Sequence, residues 1–231
     1  MLTINELIDT RKIYEGFDTS AYPSDLQGWG GHREFFEKMV RYTEPRLAIE
    51  VGSWKGRSAV TMGKLLEEYA SPGSKLLCVD TWLGATEFVD KDDDDPKRGL
   101  RRVNGYPTIY YQFLANVVLN NLSQKIVPFP QSSVNAARYL KKNKIQADLI
   151  YIDGSHEYED VKQDLEHYYE LLSPRGLICG DDYCSYWSGV IQAVGEFSLD
   201  RCLVLQTKRY ENGPGEAPSD YWVLSQNGIP L

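Results

Sequence analysis

The first group of residues along the sequence that could bind a ligand surrounds a predicted glycine turn near residue 50. Glu50 lies in the apolar run Leu47–Val51, and Gly52, Trp54 and Gly56 follow it. Glycines in such a turn let a ligand approach the backbone closely. A pyrophosphate would meet the Glu50 carboxylate, and Trp54 stands where a dinucleotide fingerprint has its second glycine. The pattern therefore favours a cationic or zwitterionic ligand, such as an amino-acid ammonium group; a turn that needs glycine only for packing is the alternative.

Asp80 directly follows the next apolar run, Lys75–Val79, and lies 28 residues after Gly52. An acid at the end of the neighbouring strand can accept hydrogen bonds from both hydroxyls of a ribose. Dinucleotide-binding folds have this acid about 20 residues after the turn, so the spacing departs from theirs. Alone, Asp80 could be a helix cap or a solvated acid; together with the turn it predicts nucleoside binding.

Three carboxylates follow two later apolar runs. Asp153 follows Asp148–Ile152, while Asp181 and Asp182 come one glycine after Leu177–Cys179. Neighbouring strands lie about 4.8 Å apart, so these acids can converge at one edge of a sheet. They would repel one another unless a cation lay between them, and oxygen ligands select Mg²⁺, or alternatively Mn²⁺ or Ca²⁺. The alternative is that Asp181 caps a helix and Asp182 is solvated.

His156 follows Asp153 by three residues and is one of three histidines in the chain. An imidazole suits general-base catalysis near neutral pH. The predicted catalytic residues are therefore His156 as the base and Asp153, which could take the proton if no cation is bound. A histidine that merely starts a helix is the alternative.

The motif Glu50-Val51-Gly52-x-x-x-Gly56-x-Ser58 resembles class I S-adenosylmethionine (SAM) dependent methyltransferases. It is most similar to the metal-dependent branch that contains catechol O-methyltransferase and the macrolide sugar O-methyltransferases, over roughly residues 47–197. The resemblance implies transfer of the SAM methyl group to a hydroxyl of a small molecule or sugar, with SAM and Mg²⁺ as cofactors. His156 matches the lysine that serves as the base in the catechol enzyme.

The same resemblance implies roles for individual residues. Glu50 and the glycine turn would hold the methionine part of SAM, Asp80 the ribose, and two serines the adenine. The implied SAM-binding residues are Glu50, Gly52, Trp54, Gly56, Ser58, Asp80, Trp82, Ser132 and Ser133. The implied metal ligands are Asp153, Asp181 and Asp182.

An α/β fold is needed to position these residues, and short apolar runs do alternate with longer amphipathic segments. The predicted strands are Leu47–Val51, Lys75–Val79, Ile126–Phe129, Asp148–Ile152, Leu177–Cys179, Cys202–Gln206 and Tyr221–Leu224. The predicted helices are Glu34–Tyr42, Ser58–Tyr69, Thr108–Asn121, Val134–Lys142, Glu157–Leu172 and Val190–Phe197. Five strands alternate with helices, and no helix separates the last two. We therefore expect a Rossmann-like, seven-stranded methyltransferase fold, a mostly parallel sheet with a C-terminal antiparallel hairpin.

A length of 231 residues fits a single domain, residues 1–231. Within it, residues 1–45 are expected to form an N-terminal cap. Residues 82–107 have no clear period and exceed ordinary connections in length, which predicts an inserted lid. Residues 90–95 carry four of the eight net negative charges and are expected to be a solvated loop rather than a second metal site.

A net charge of −8 argues against nucleic acid or an anionic membrane as partner, which leaves a small-molecule or sugar acceptor. A homo-oligomer is compatible with the sequence. The four cysteines lack C-x-x-C spacing and no apolar segment resembles a signal peptide or spanning helix, so we expect a cytoplasmic protein. Two rival functions stay open: a non-catalytic SAM-binding protein, and a nicotinamide oxidoreductase, against which Glu50 and Trp54 argue.

Overall fold

Seven strands form one sheet in the computed structural model, which describes Ile4 and residues 12–212 and 218–231. The strands are β1 (Leu47–Val51), β2 (Lys75–Asp80), β3 (Ile126–Pro130), β4 (Ala147–Ile152), β5 (Leu172–Gly180), β6 (Val204–Tyr210) and β7 (Ser219–Ser225). Their order is β3-β2-β1-β4-β5-β7-β6. Strands β1 to β5 pair in parallel, whereas β7 is antiparallel to both β5 and β6. The predicted fold class is confirmed.

Helices cover both faces of the sheet. They are α1 (Arg33–Thr43), α2 (Arg57–Tyr69), α3 (Ile109–Leu119), α4 (Ser133–Lys142), α5 (Tyr158–Tyr169) and α6 (Ser188–Asp200). The first three contribute to one apolar core and the last three to another. Alternate residues of a strand face opposite sides, so Ala48 of β1 lies in the first core and Ile49 in the second. This two-sided burial explains why the central strands are almost entirely apolar.

All seven predicted strands and six predicted helices are present, and the differences lie at their ends. Strand β5 begins at Leu172, five residues before the predicted start, because Leu172 pairs with Ala147 ahead of a register shift. Pro174 and Gly176 interrupt the apolar pattern there and conceal this part of the strand. Strand β6 begins at Val204, since Cys202 has a φ of 52° and belongs to the turn after α6.

The described part of the N-terminal cap is anchored to the glycine turn. The ammonium group of Lys55, which is 2% exposed, lies 2.8 Å from the Asp25 carboxylate. The side-chain amide of Asn116 donates hydrogen bonds to the carbonyls of both residues at 2.7 Å. An ion pair with a buried ammonium group and further hydrogen bonds to both residues fixes the geometry of its surroundings. It holds residues 25–31 across the carboxyl edge of the sheet.

The segment predicted to be a lid, residues 82–107 and called the lid below, contains a short 3₁₀ helix at Thr86–Phe88. Part of its acidic run has local partners. Backbone N–H groups of Arg98 and Lys97 donate to the Asp95 carboxylate at 2.7 and 2.8 Å and lower its pKa. Arg102 pairs with Asp93 at 2.7 Å. These contacts order Asp93 and Asp95 without burying them, so the run keeps the exposed character expected of a solvated loop.

Within the part of the chain that the structure describes, no helix combines the length and apolar character needed to cross a bilayer. Cys78 and Cys179 are buried, Cys202 is exposed, and the four cysteines are free thiols. The two buried thiols lie in the apolar runs of β2 and β5, where small apolar side chains pack best.

Candidate active site

The glycine turn between β1 and α2 requires glycine at both of its ends. Gly52 and Gly56 have φ angles of 85° and 88°, in the left-handed region that favours glycine. A Cβ atom at Gly52 would clash with the backbone carbonyl of Asp153, and one at Gly56 would meet the Phe113 ring at 3.0 Å. The turn is therefore packed directly against the end of β4, where the predicted metal ligands begin.

Asp80, at the end of β2, holds the glycine turn in place. Its Oδ2 atom accepts hydrogen bonds from the backbone N–H groups of Ser53 at 2.8 Å and Trp54 at 3.0 Å. Its Oδ1 atom accepts one from Trp82 at 2.7 Å. A carboxylate has about four acceptor sites, so these bonds leave capacity for a ribose hydroxyl. The ribose contact stays a prediction, and the support of the turn is a role that the sequence did not reveal.

Glu50 is a fully buried carboxylate beside the turn. Its Oε2 atom accepts a hydrogen bond from the Ser53 hydroxyl at 2.7 Å and lies 3.4 Å from the Cys78 thiol. Its Oε1 atom has no hydrogen-bond partner among the described residues. Burial raises the pKa of Glu50 to about 7, against the opposite effect of the Ser58 and Ser53 hydroxyls. A buried carboxylate with one oxygen unsatisfied fits the predicted ammonium group.

Trp54 and Trp82 connect the turn to its surroundings. The indole N–H of Trp82 donates to the Trp54 carbonyl at 2.8 Å. Trp82 is 2% exposed and packs against Phe113 of α3, with ring centroids 4.9 Å apart. Trp54 is half-buried and packs at 4.9 Å against Phe88 of the lid. The lid is therefore in direct contact with the predicted cofactor turn.

Ser132 and Ser133 lie at the N-terminus of α4. The Ser132 hydroxyl accepts a hydrogen bond from the backbone N–H of Asn135 at 3.4 Å and so caps the helix. Near them lies Asp164, a carboxylate that sequence reasoning missed because it is part of a charged stretch of α5. Burial raises the pKa of Asp164 to about 7, and a hydrogen bond to Ser133 opposes that shift. The adenine contact of the two serines stays a prediction.

The acids at the ends of β4 and β5 do converge. The Tyr151 hydroxyl donates to Asp153 Oδ2 at 3.0 Å. A Cβ atom at Gly30 would lie 2.7 Å from Asp181 Oδ2 and 3.7 Å from Asp153 Oδ2. Burial, followed by repulsion from Asp182 and Asp181, raises the pKa of Asp153 well above its ordinary value; burial and Asp182 raise that of Asp181 to about 8. Carboxylates crowded in this way fit a bound cation.

His156 lies inside this group of acids. Its Nε2 atom is 2.9 Å from Asp182 Oδ2, and its Nδ1 atom is 3.6 Å from Oε1 of Glu87 in the lid. The Trp187 ring stacks on the imidazole at 3.9 Å and 14°. Burial lowers the pKa of His156, but the hydrogen bond and charge of Asp182 outweigh burial and raise it overall.

Three side chains whose ligand atoms lie close enough to hold one metal ion differ in one member from the predicted metal set. Ligand atoms of Asp153, His156 and Asp182 all lie within 4.8 Å of one another. Asp181 lies beside them, and its Oδ1 atom accepts the backbone N–H of Asp182 at 2.8 Å. The structure thus brings together all four predicted residues and adds Glu87, for which the sequence carries no signal.

The seven-stranded sheet, with its antiparallel C-terminal strands, has the fold of class I methyltransferase domains. Residues 49–183 match a family model described as a methyltransferase domain. The match spans more than half of the chain, so the protein belongs to this family of methyltransferase domains. The resemblance of its sequence to class I methyltransferases is thereby confirmed, and membership of the metal-dependent branch stays a prediction.

Solved structures of similar fold include an O-methyltransferase from Bacillus cereus in complex with S-adenosylhomocysteine (SAH). It has a TM-score of 0.60 and 13% identity over 97% of this chain and 93% of that one. An O-methyltransferase of tomaymycin synthesis from Streptomyces achromogenes, in complex with SAM, has a TM-score of 0.60 and 8% identity over 96% and 88%. At these identities the likeness concerns the fold alone.

An uncharacterized protein of Sinorhizobium fredii is 28% identical over 160 residues, which are 67% of this chain and 15% of that protein. An uncharacterized protein of Acanthamoeba polyphaga mimivirus is 40% identical over 55 residues, 23% of this chain. The chain covers only 15% and 25% of the lengths of these relatives.

Proposed function

We propose that the protein is a SAM-dependent methyltransferase that methylates a hydroxyl of a small molecule or sugar with the help of a divalent cation, Mg²⁺ first. One observation carries this proposal: the backbone of Gly52 lies against the carbonyl of Asp153. The turn that would hold the methyl donor and the acids that would hold the cation therefore share one edge of the sheet. Two reactants bound there would be neighbours, and such positioning is a major source of catalytic rate.

For the donor, the chain offers groups of fitting chemistry. Glu50 Oε1 is buried and free to accept from the ammonium group of SAM. Asp80 is already held by backbone N–H groups and has acceptor capacity left for the ribose. Ser132 and Ser133, at the end of β3, are proposed to contact the adenine.

For the cation, the proposed ligands are Asp153 and Asp182, completed by Asp181 or His156. Carboxylate oxygens fit a hard divalent cation, so Asp181 suits Mg²⁺ as the third ligand, whereas His156 in that place would favour a transition metal. When bound, the cation would supply Lewis acidity that lowers the pKa of the acceptor hydroxyl. With Asp181 as third ligand, His156 stays free to act as the base.

His156 Nε2 is the proposed proton acceptor. The acceptor hydroxyl gives its proton to Nε2, its oxygen bonds to the methyl carbon, and the carbon–sulfur bond of SAM breaks to leave SAH. Only the neutral imidazole can take the proton, and Asp182 raises the pKa of His156. Activity should therefore rise with pH as the imidazole loses its proton.

Calorimetric titration with SAH in the presence of Mg²⁺ tests the donor site, with Glu50→Gln as the variant and Asp94→Asn, in the exposed acidic run, as the matched control. Transfer of labelled methyl from SAM to a panel of catechols and sugars then tests turnover, with and without chelator. Absence of SAH binding to the wild type would refute the proposal. SAH binding without transfer to any member of the panel would favour a non-catalytic SAM-binding protein. Binding of NAD(P)H in a separate fluorescence titration would favour an oxidoreductase.

A further inference from the structure

Asn116 is a fully buried polar side chain on the mostly apolar helix α3. Its Nδ2 atom donates hydrogen bonds to the carbonyl oxygens of Asp25 and Lys55, both at 2.7 Å. Its Oδ1 atom accepts one from the backbone N–H of Asp25 at 3.0 Å. Buried amides cost free energy unless they are hydrogen-bonded, and Asn116 obtains its bonds from the N-terminal cap and from the glycine turn. One side chain therefore joins the cap to the turn.

The cap segment, residues 25–31, continues past this junction along the turn and into the start of α2. The Arg57 guanidinium donates a hydrogen bond to the Gly28 carbonyl at 2.9 Å. A Cβ atom at Gly31 would lie 3.4 Å from the backbone of Ser58. Contacts at both ends and in the middle of the segment thus place the cap directly against the predicted cofactor turn.

The turn needs contacts of this kind because its backbone is strained. Trp54 has a φ of 47°, in the left-handed region that residues other than glycine rarely adopt. Such strain persists only where the surroundings hold the backbone in place. Asp80 accepts the N–H of Trp54 at 3.0 Å, and the Trp82 indole donates to its carbonyl at 2.8 Å. The carbonyl of the next residue, Lys55, is held by Asn116, the side chain that also holds the cap.

We propose that docking of the N-terminal cap controls the affinity of the glycine turn for SAM, and that Asn116 and Lys55 are the positioning residues that couple the two. Coupling of this kind is reciprocal, so a docked cap favours SAM binding and bound SAM favours a docked cap. The inference rests on the proposed function in one respect, the use of the glycine turn to bind SAM.

Calorimetric titration of the full chain with SAH measures the coupling, at a temperature well below the unfolding midpoint of every variant. Asn116→Ala removes the bonds to the cap and to the turn together, and we expect the Kd for SAH to rise about 10- to 100-fold. Asn120→Ala is the matched control, since the Asn120 amide donates one hydrogen bond at 2.8 Å to the Asn116 carbonyl, within the end of the same helix. The same Kd in wild type and Asn116→Ala would overturn the inference.

Hydrogen exchange followed by mass spectrometry shows whether the affinity changes through the cap. In the wild type and in Asn120→Ala, SAH should slow exchange in a peptide that covers residues 25–31. In Asn116→Ala the same peptide should exchange faster than in the wild type before SAH is added. If SAH binds to the wild type without slowing exchange in this peptide, the cap is a fixed part of the fold and the inference is overturned.

The ion pair between Lys55 and Asp25 provides a second set of variants, which serves alone if Asn116→Ala does not fold. Lys55→Met and Asp25→Asn should each raise the Kd for SAH and speed exchange of the cap. The double variant should raise Kd by less than the product of the two single effects, because each single change already breaks the same ion pair. Effects that multiply fully would show that Lys55 acts on the turn without the cap, and would overturn its role.

Failure of the proposed function would give a different result. If the wild type binds no SAH, the proposed function is refuted, and exchange of the Ser53 and Trp54 amides in ligand-free Asn116→Ala still decides whether the docked cap holds the turn. If SAH binds with the same Kd in all of these variants, only the inference about the cap fails.

Discussion

The glycine turn and the acid cluster lie side by side, but their polar groups are satisfied to different degrees. In the turn, the Asp80 carboxylate accepts hydrogen bonds from three backbone N–H groups. In the cluster, Asp153 accepts one from Tyr151 and faces the like charges of Asp182 and Asp181, with the His156 imidazole also within 4.8 Å. The carboxylate in the turn is thus satisfied by backbone N–H groups of the chain. The cluster, in contrast, carries more negative charge than its neighbours neutralise.

The two regions differ in how strongly they stabilise the charge of a carboxylate. Backbone N–H groups aimed at a carboxylate stabilise its charge, whereas neighbouring carboxylates and burial destabilise it. The turn should therefore keep its shape with or without ligand, and the cluster should change its protonation when a cation arrives. Substitutions in the cluster should therefore affect mainly catalytic turnover, and substitutions in the turn mainly the stability of the fold.

The largest effect should come from the cluster. Asp153→Asn removes a charge that the proposed cation requires, and labelled-methyl assays should show turnover about 10³-fold lower, a loss typical of removing a Lewis acid worth several kcal/mol. SAH affinity, measured by calorimetry, should change little because the backbone carbonyl that meets Gly52 remains. Asp94→Asn is the charge-matched control. Full activity of the wild type after exhaustive chelation would contradict this prediction.

The next largest effect should come from the turn and should be structural. Gly52→Ala would place a Cβ atom against the Asp153 carbonyl at a φ of 85°, and we expect a loss of about 3 kcal/mol in the free energy of unfolding. Gly73→Ala is the matched control, since nothing lies within 4 Å of a Cβ atom there. Urea denaturation measures both, and equal midpoints would show that the turn can move away from β4.

Asp80→Ala is a second substitution that tests the glycine turn. It removes the acceptor of the Ser53 and Trp54 N–H groups, and SAH binding should weaken by about 1.5–3 kcal/mol through loss of charge-assisted hydrogen bonds. Hydrogen exchange should show faster exchange of those two amides even without ligand. Unchanged amide protection together with weaker SAH binding would assign Asp80 to the ribose alone.

The sequence predicted the turn and the acids because both depend on local pattern. Strand-end positions follow from apolar runs, and parallel pairing brings Asp153 and Asp181 to one edge whatever the loops do. Even Tyr151 could have been found, since residues two apart on a strand face the same side. The predictable part of the site is the part that the sheet positions.

The remainder of the site comes from segments without periodicity. Gly30 approaches the acids because an ion pair between Asp25 and Lys55 fixes the cap, and Glu87 reaches His156 because Phe88 packs on Trp54. No regular sequence spacing predicts either contact, because each depends on how a long connection folds back over the sheet. Long-range packing of this kind cannot be deduced from one sequence.

The smallest expected effect concerns Glu50. It tests whether this carboxylate pairs with the ammonium group of SAH at the glycine turn. Burial raises its pKa from 4.5 to about 7, so below pH 7 Glu50 is largely protonated and cannot pair with an ammonium group. Pairing would favour the carboxylate, so SAH binding should release a proton from Glu50 at mildly acidic pH, and affinity should rise with pH toward 7 and then level off. One proton limits this rise to tenfold per pH unit.

Calorimetry in buffers of different ionisation enthalpy measures the released protons. Glu50→Gln should remove that release while Asp153 and Asp181 keep their own titration, so the difference between variant and wild type belongs to Glu50. In the protein without ligand the sign is reversed: because burial disfavours the charged form and raises the pKa of Glu50 from 4.5 to about 7, the wild type should lose stability relative to Glu50→Gln as the pH rises between these two values, and the loss should level off above pH 7. If the two proteins show the same pH dependence of SAH affinity, Glu50 does not pair with the ammonium group. The glycine turn then binds SAH without a contribution from Glu50.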